Sequence, residues 1–166
     1  MPRPLFSSAI GYNAAAIVTT VRRRYDHPRI SARSDREWTA RPPDDDNPDG
    51  SPQVTVVWVG IEDDEFVCAH MGVWKKVQNM QREPRVALSM LGHGKNALGL
   101  QEYLVVYGQA RITEGGGADL LQRLAYTYIS PTIVFPPEPI RSQSGYITHI
   151  APQRFTGTGP WSQAHG

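Results

Sequence analysis

Cysteine is almost absent from this 166-residue chain, with Cys68 standing alone. One thiol excludes a disulfide or a cysteine-based metal cluster within a single chain, and it suits a reducing compartment. Long apolar runs are missing as well, and none reaches the ~20 residues that span a bilayer. The opening MPRPLFSSAIGYNAAAIVTT has no charged stretch followed by a sustained apolar one, so the expectation is a cytoplasmic protein with no membrane partner. Charge imbalance is slight: 17 Lys and Arg against 16 Asp and Glu leave a formal net charge of +1. That is not the footprint of a nucleic-acid-binding domain, so no nucleic acid is expected either. The histidines show no ligand spacing such as HxxxH, and no metal is expected. Ser89, Ser130 and Ser144 lack the context of a nucleophile elbow, and no Lys-Ser/Thr pair follows Gly115–Gly117 as it would in a phosphate loop. What is present is 40% hydrophobic and 20% charged, an ordinary globular composition with length enough for one domain and its own core.

The text changes character near residue 47. Residues 22–46 (RRRYDHPRISARSDREWTARPPDDD) are charged and without apolar period, which reads as a loosely held segment. The basic Arg22–Arg24 cluster reads as a solvated tail because acidic residues follow it closely. Upstream, AAAIVTTV is either a strand or the end of a short helix. Residues 1–46 are therefore taken as an irregular N-terminal segment, 47–161 as the folded domain and 162–166 as a tail. Asn47-Pro48-Asp49-Gly50 marks a turn. VTVVWVG and EFVCAH then read as a hairpin of β-branched and aromatic strands closed at Asp63-Asp64. In VWKKVQNMQRE, Val73, Val77 and Met80 fall at i, i+4 and i+7, a short helix with one inward face, stopped at Pro84. RVALSML and QEYLVVYGQARI are further strands, the second bending at Gly108. ADLLQRLAYTYI is a helix with Leu120, Leu121, Leu124, Ala125 and Tyr128 on one face. A Pro-rich loop from Pro131 to Pro139 precedes a last strand around Gly145–Ile150. Many strands with tight turns and two short helices predict a mainly β chain closed into a barrel.

The strand–Gly–helix unit carries the chemistry. A helix N-terminus exposes unpaired N–H groups and attracts anions. Lys75 and Lys76 occupy its first turn, where the dipole disfavours cations, and Asn79 lies within one turn of both. Lysine brings charge to a phosphate and asparagine brings directional hydrogen bonds. The alternative is an ordinary solvated helix face, and the pattern by itself leaves both open. His70 reads as a hydrogen-bonded structural histidine. Trp58, Trp74 and Trp161 are flat surfaces able to pack a ring system, although core or interface packing is the commoner role for any one such residue.

NPDGSPQVTVVWVG, KKVQNMQREPRVALSM and EYLVVYGQARITEGG together resemble the pyridoxamine 5′-phosphate oxidase-like superfamily, and within it the actinobacterial F420-dependent group. The run Lys76, Asn79, Arg82, Pro84, Arg85, in K-x-x-N-x-x-R-x-P-R, is the most specific part. The resemblance spans about residues 47–161. It implies a six-stranded split β-barrel of the FMN-binding kind, a homodimer with two cofactor sites at the subunit interface, and a cofactor wall made by Gln53, Thr55, Trp74, Lys75, Lys76 and Asn79. Trp74 stands where the family commonly has a basic residue for the cofactor's phosphate, which leaves the choice between F420 and FMN open. The end RFTGTGPWSQAHG lacks the Arg/His substrate motif of true pyridoxamine phosphate oxidases, so that substrate is not expected. The implied function is F420-dependent reduction of an unsaturated small organic molecule. The alternatives are an FMN-dependent oxidoreductase and a non-catalytic flavin or F420 carrier. No catalytic acid or base is nominated, since the cofactor supplies the chemistry. The long charged stretch before Asn47 departs from the family, as an insertion after the first strand or a shifted reading frame.

Overall fold

The chain is described by a computed structural model over residues 16–20, for the backbone alone, and 53–163. The expectations for residues 22–46, for the turn at 47–50 and for 164–166 lie outside the described residues. The strands are β1 (Ala16–Thr20), β2 (Gln53–Val57), β3 (Gly60–Glu62), β4 (Glu65–His70), β5 (Arg85–Lys95), β6 (Gln101–Glu114) and β7 (Tyr146–Thr158). Helix α1 (Lys75–Arg82) sits between β4 and β5, and α2 (Gly117–Tyr128) between β6 and β7. AAAIVTTV thus contains a strand, and β1 pairs antiparallel with both β2 and β5.

All seven strands form one sheet in the order β2-β1-β5-β6-β7-β4-β3. The expected strand VTVVWVG is not continuous. It breaks at Trp58-Val59, and this adds a seventh segment to the six strands the resemblance implies. The expected hairpin is correspondingly short: β3 alone pairs with β4, while β2 pairs with β1 at the other end of the sheet. Two residues separate β2 from β3, so these opposite edges lie within roughly 11 Å of each other. Laid flat, seven strands would hold their edges about 29 Å apart. The sheet has to curl round on itself, and the β2–β3 break is the split of the barrel.

Alternation builds the interior. Val86, Leu88 and Met90 on β5 and Leu104 and Val106 on β6 point inward with Val57, Phe66, Cys68 and Ile150. Met80 of α1 and Trp161 join them, and the Trp161 indole N–H donates to the Tyr103 carbonyl at 2.8 Å. On the outside of β4, Val67 packs with Leu120 and Leu124 of α2. β4 is therefore covered on both faces, which explains its almost unbroken burial. Tyr128 ends α2 at the split. Its hydroxyl accepts from Val59 N–H and donates to Val59 C=O, each at 3.1 Å, and its ring stacks on Trp58 at 5.5 Å.

Two further differences and one expected irregularity remain. Val73 does not face inward but is 43% exposed, because the helix begins two residues later and Trp74 is its N-cap. β5 and β6 run on to Lys95 and Glu114 as a long hairpin, and β7 runs on to Thr158. Pro152 is tolerated inside β7 because the register slips there: Tyr107 pairs with Arg154 but Gly108 with Pro152. This is the irregularity expected at Gly108, where an added Cβ would collide with the Ala151 carbonyl oxygen.

Candidate functional site

A cleft opens between α1 and the inner faces of β2, β4 and β7. Its walls are Gln53, Thr55 and Val57 from β2, Cys68 and His70 from β4, Lys76 and Met80 from α1, and Thr148 from β7. The empty space amounts to about 300 Å³, open solvent included. Period-2 alternation puts Gln53, Thr55 and Val57 on one side of β2 and leaves Val54 and Val56 exposed on the other. Helix α1 brings Lys76 to the cleft because Val77 and Met80 anchor its apolar face to the barrel.

Lys76 is half-buried, and no carboxylate lines the cleft or pairs with it among the described residues. Burial lowers its pKa against the opposing field of Cys68. The first turn of α1 carries no acidic residue, and Trp74 supplies no capping side chain. The helix dipole and the ammonium therefore act in the same direction, toward an anion. Burial, with the Lys76 charge added, pushes His70 down to about 3, so its imidazole is neutral. His70 Nε2 lies 2.8 Å from Thr148 Oγ1, while the buried Nδ1 has no partner among the described residues. Burial also pushes the Cys68 thiol up to about 12 despite Lys76, so no thiolate offsets the ammonium. Beside the cleft, Arg82 Nη2 donates to Asn79 Oδ1 and Asn79 Nδ2 donates to Gln53 Oε1, each at 2.5 Å.

Of the six expected site residues, Gln53, Thr55 and Lys76 line the cleft and Asn79 is tied to it through Gln53. Lys75 and Trp74 do not line it; Trp74 is 55% exposed and lies over Gly72. The lysines diverge because neighbouring helix positions are turned ~100° apart. His70, which reads as structural, does make a structural hydrogen bond but also forms part of the wall. Cys68 could have been found with it, two residues away on the same strand face. Thr148 could not, since it meets His70 only through the pairing of β4 with β7.

The donor set suits the anionic end of a cofactor: a cation with no counter-charge among the described residues and an amide share one wall. Among the described residues there is no cluster of side chains fit to hold a metal, and no helix is long and apolar enough to cross a membrane.

No protein-family model matches the chain, and no curated protein matches it. Solved structures do match. An F420 reductase superposes with a TM-score of 0.60 at 20% identity, covering 94% of this chain and 98% of that one. A conserved hypothetical protein of Mycobacterium tuberculosis gives 0.55 at 18%, covering 86% and 75%. An FAD-binding protein of Mesorhizobium loti gives 0.51 at 17%, covering 86% and 84%. The curled sheet and these likenesses agree on the architecture, and the chain has a split β-barrel fold similar to that of these structures.

Proposed function

We propose that this protein is an oxidoreductase that holds F420 and reduces an unsaturated small organic molecule. The observation that carries the reading is Lys76, a cation held in a cleft with no counter-charge among the described residues. An ammonium so placed gives up hydration and recovers it when an anion enters. The apolar side chains of Val57 and Met80 keep water out and strengthen that attraction. Lys76 and Gln53 would hold the anionic tail, with Asn79 behind Gln53. When bound, the deazaflavin ring supplies the hydride. His70 is neutral and tied to Thr148, which suits a wall residue better than a proton donor.

The cleft is too small to enclose a tricyclic ring together with its tail, so the rest of the site is assigned to a second copy of the chain. Val54, Val56, Leu91 and Tyr103 are exposed on the outer surface of the barrel and offer an apolar face for it. A homodimer in the cytoplasm follows as part of this proposal. FMN carries a phosphate as well and is the alternative cofactor, and a non-catalytic carrier would use the same contacts.

Fluorescence titration with F420 and FMN tests the reading. F420 is expected to bind more tightly. Lys76→Ala should weaken it by about 1.5–3 kcal/mol, roughly 10- to 150-fold, the range for hydrogen bonds to charged groups. Lys75→Ala, outside the cleft, should have the smaller effect. Tighter binding of FMN would move the assignment to flavin, and unchanged affinity in Lys76→Ala would overturn the anion site. Turnover of reduced F420 with an electron acceptor separates an enzyme from a carrier.

A further inference from the structure

The contacts beside the cleft run in a fixed direction. Arginine has only protons to offer. The atom of Asn79 that meets Arg82 must therefore be its oxygen, which leaves the Asn79 amide N–H₂ to face Gln53. The atom of Gln53 that receives it must in turn be Oε1. This order holds whichever way either amide is drawn, because the guanidinium cannot accept. Oε1 is thus turned to Asn79, and the Gln53 N–H₂ group on the other arm of the amide is a donor with no acceptor among the described residues. Lys76, on the same wall, is also a donor without an acceptor among the described residues.

We propose that Arg82 is a positioning residue which, through Asn79, holds the Gln53 amide with its protons toward the cleft, so that Gln53 and Lys76 form a donor-only subsite selecting an acceptor-rich anionic group such as a phosphoryl oxygen. Without Arg82, Asn79 is free to reverse and accept from Gln53 Nε2. That turns Gln53 Oε1 to the ligand, and a carbonyl dipole then opposes the anion where an amide proton had met it. The inference rests on the anionic-cofactor reading above and adds a selectivity filter to it.

The paired probes are FMN and riboflavin, which differ by the phosphate alone. Arg82→Ala should weaken FMN ~10-fold, one hydrogen bond to a charged group, and leave riboflavin nearly unchanged. Arg82→Lys, which still donates to Asn79, should recover most of the loss. In a Gln53→Leu background, Arg82→Ala should have no further effect on FMN, since the relay has no end to act on. A direct attraction between the guanidinium and the phosphate would persist there and would overturn the proposal. Equal weakening of riboflavin, or undiminished FMN affinity in Arg82→Ala, would overturn it too. If the wild type binds neither FMN nor F420, the functional reading fails by itself and pyrophosphate becomes the probe. The relay then stands if Arg82→Ala weakens pyrophosphate ~10-fold and falls if it does not.

Discussion

Replacing His70 by asparagine should flatten the acid side of the stability profile. In the fold the imidazole is buried and faces Lys76, and both hold its pKa down at about 3. In the unfolded chain it returns to about 6.5. The unfolded state therefore takes up the proton first, and the neutral ring's contribution is fully present above about pH 6.5. It is lost progressively as pH falls toward 3. At pH 5 the unfolded histidine is protonated and the folded one is not, and the difference amounts to roughly 2 kcal/mol relative to pH 8. Asparagine is shorter and gives up the bond that Nε2 makes to Thr148, but it does not titrate in this range. Urea unfolding of wild type and His70→Asn at pH 8 and pH 5, at one salt concentration, measures the effect. All other titrating groups cancel in the comparison. The wild type should lose about 2 kcal/mol more than the variant between the two pH values, whatever their offset at pH 8. Parallel profiles for wild type and His70→Asn would show that His70 is not held neutral, and the account of the cleft's electrostatics would fail with it.

Tyr128→Phe removes the hydroxyl that meets both Val59 N–H and Val59 C=O while leaving the ring on Trp58. Two backbone groups at the split then lose their partner, and unfolding in urea should show a loss of about 1–3 kcal/mol; an unchanged midpoint would mean that the split does not depend on this contact. Sedimentation at micromolar concentration should give twice the chain mass, and Val56→Lys, on the exposed side of β2, should shift it toward the monomer. A monomer that bound cofactor with wild-type affinity would remove the two-chain site.

Much of this chain is legible without coordinates because burial leaves a local trace. The alternation of Val86, Leu88 and Met90 marks a strand with one face in a core. The spacing of Val77 and Met80 marks a helix that Pro84 stops, and it places Lys75 and Lys76 in the first turn. Gly108 marks a strand that must admit a close neighbour. Periodicity reports which way a side chain points, but it carries no information about which strand lies alongside. VTVVWVG reads as one strand because every residue before Gly60 has β character. Only closure of the sheet, with β2 and β3 on opposite edges, requires it to break at Trp58. The partnership of His70 with Thr148, 78 residues apart, follows from the register of β4 on β7 and not from either segment. Even the two lysines, equivalent in sequence, are separated by packing: once Val77 and Met80 are seated, the rotation of α1 is set, and Lys76 alone of the pair lines the cleft.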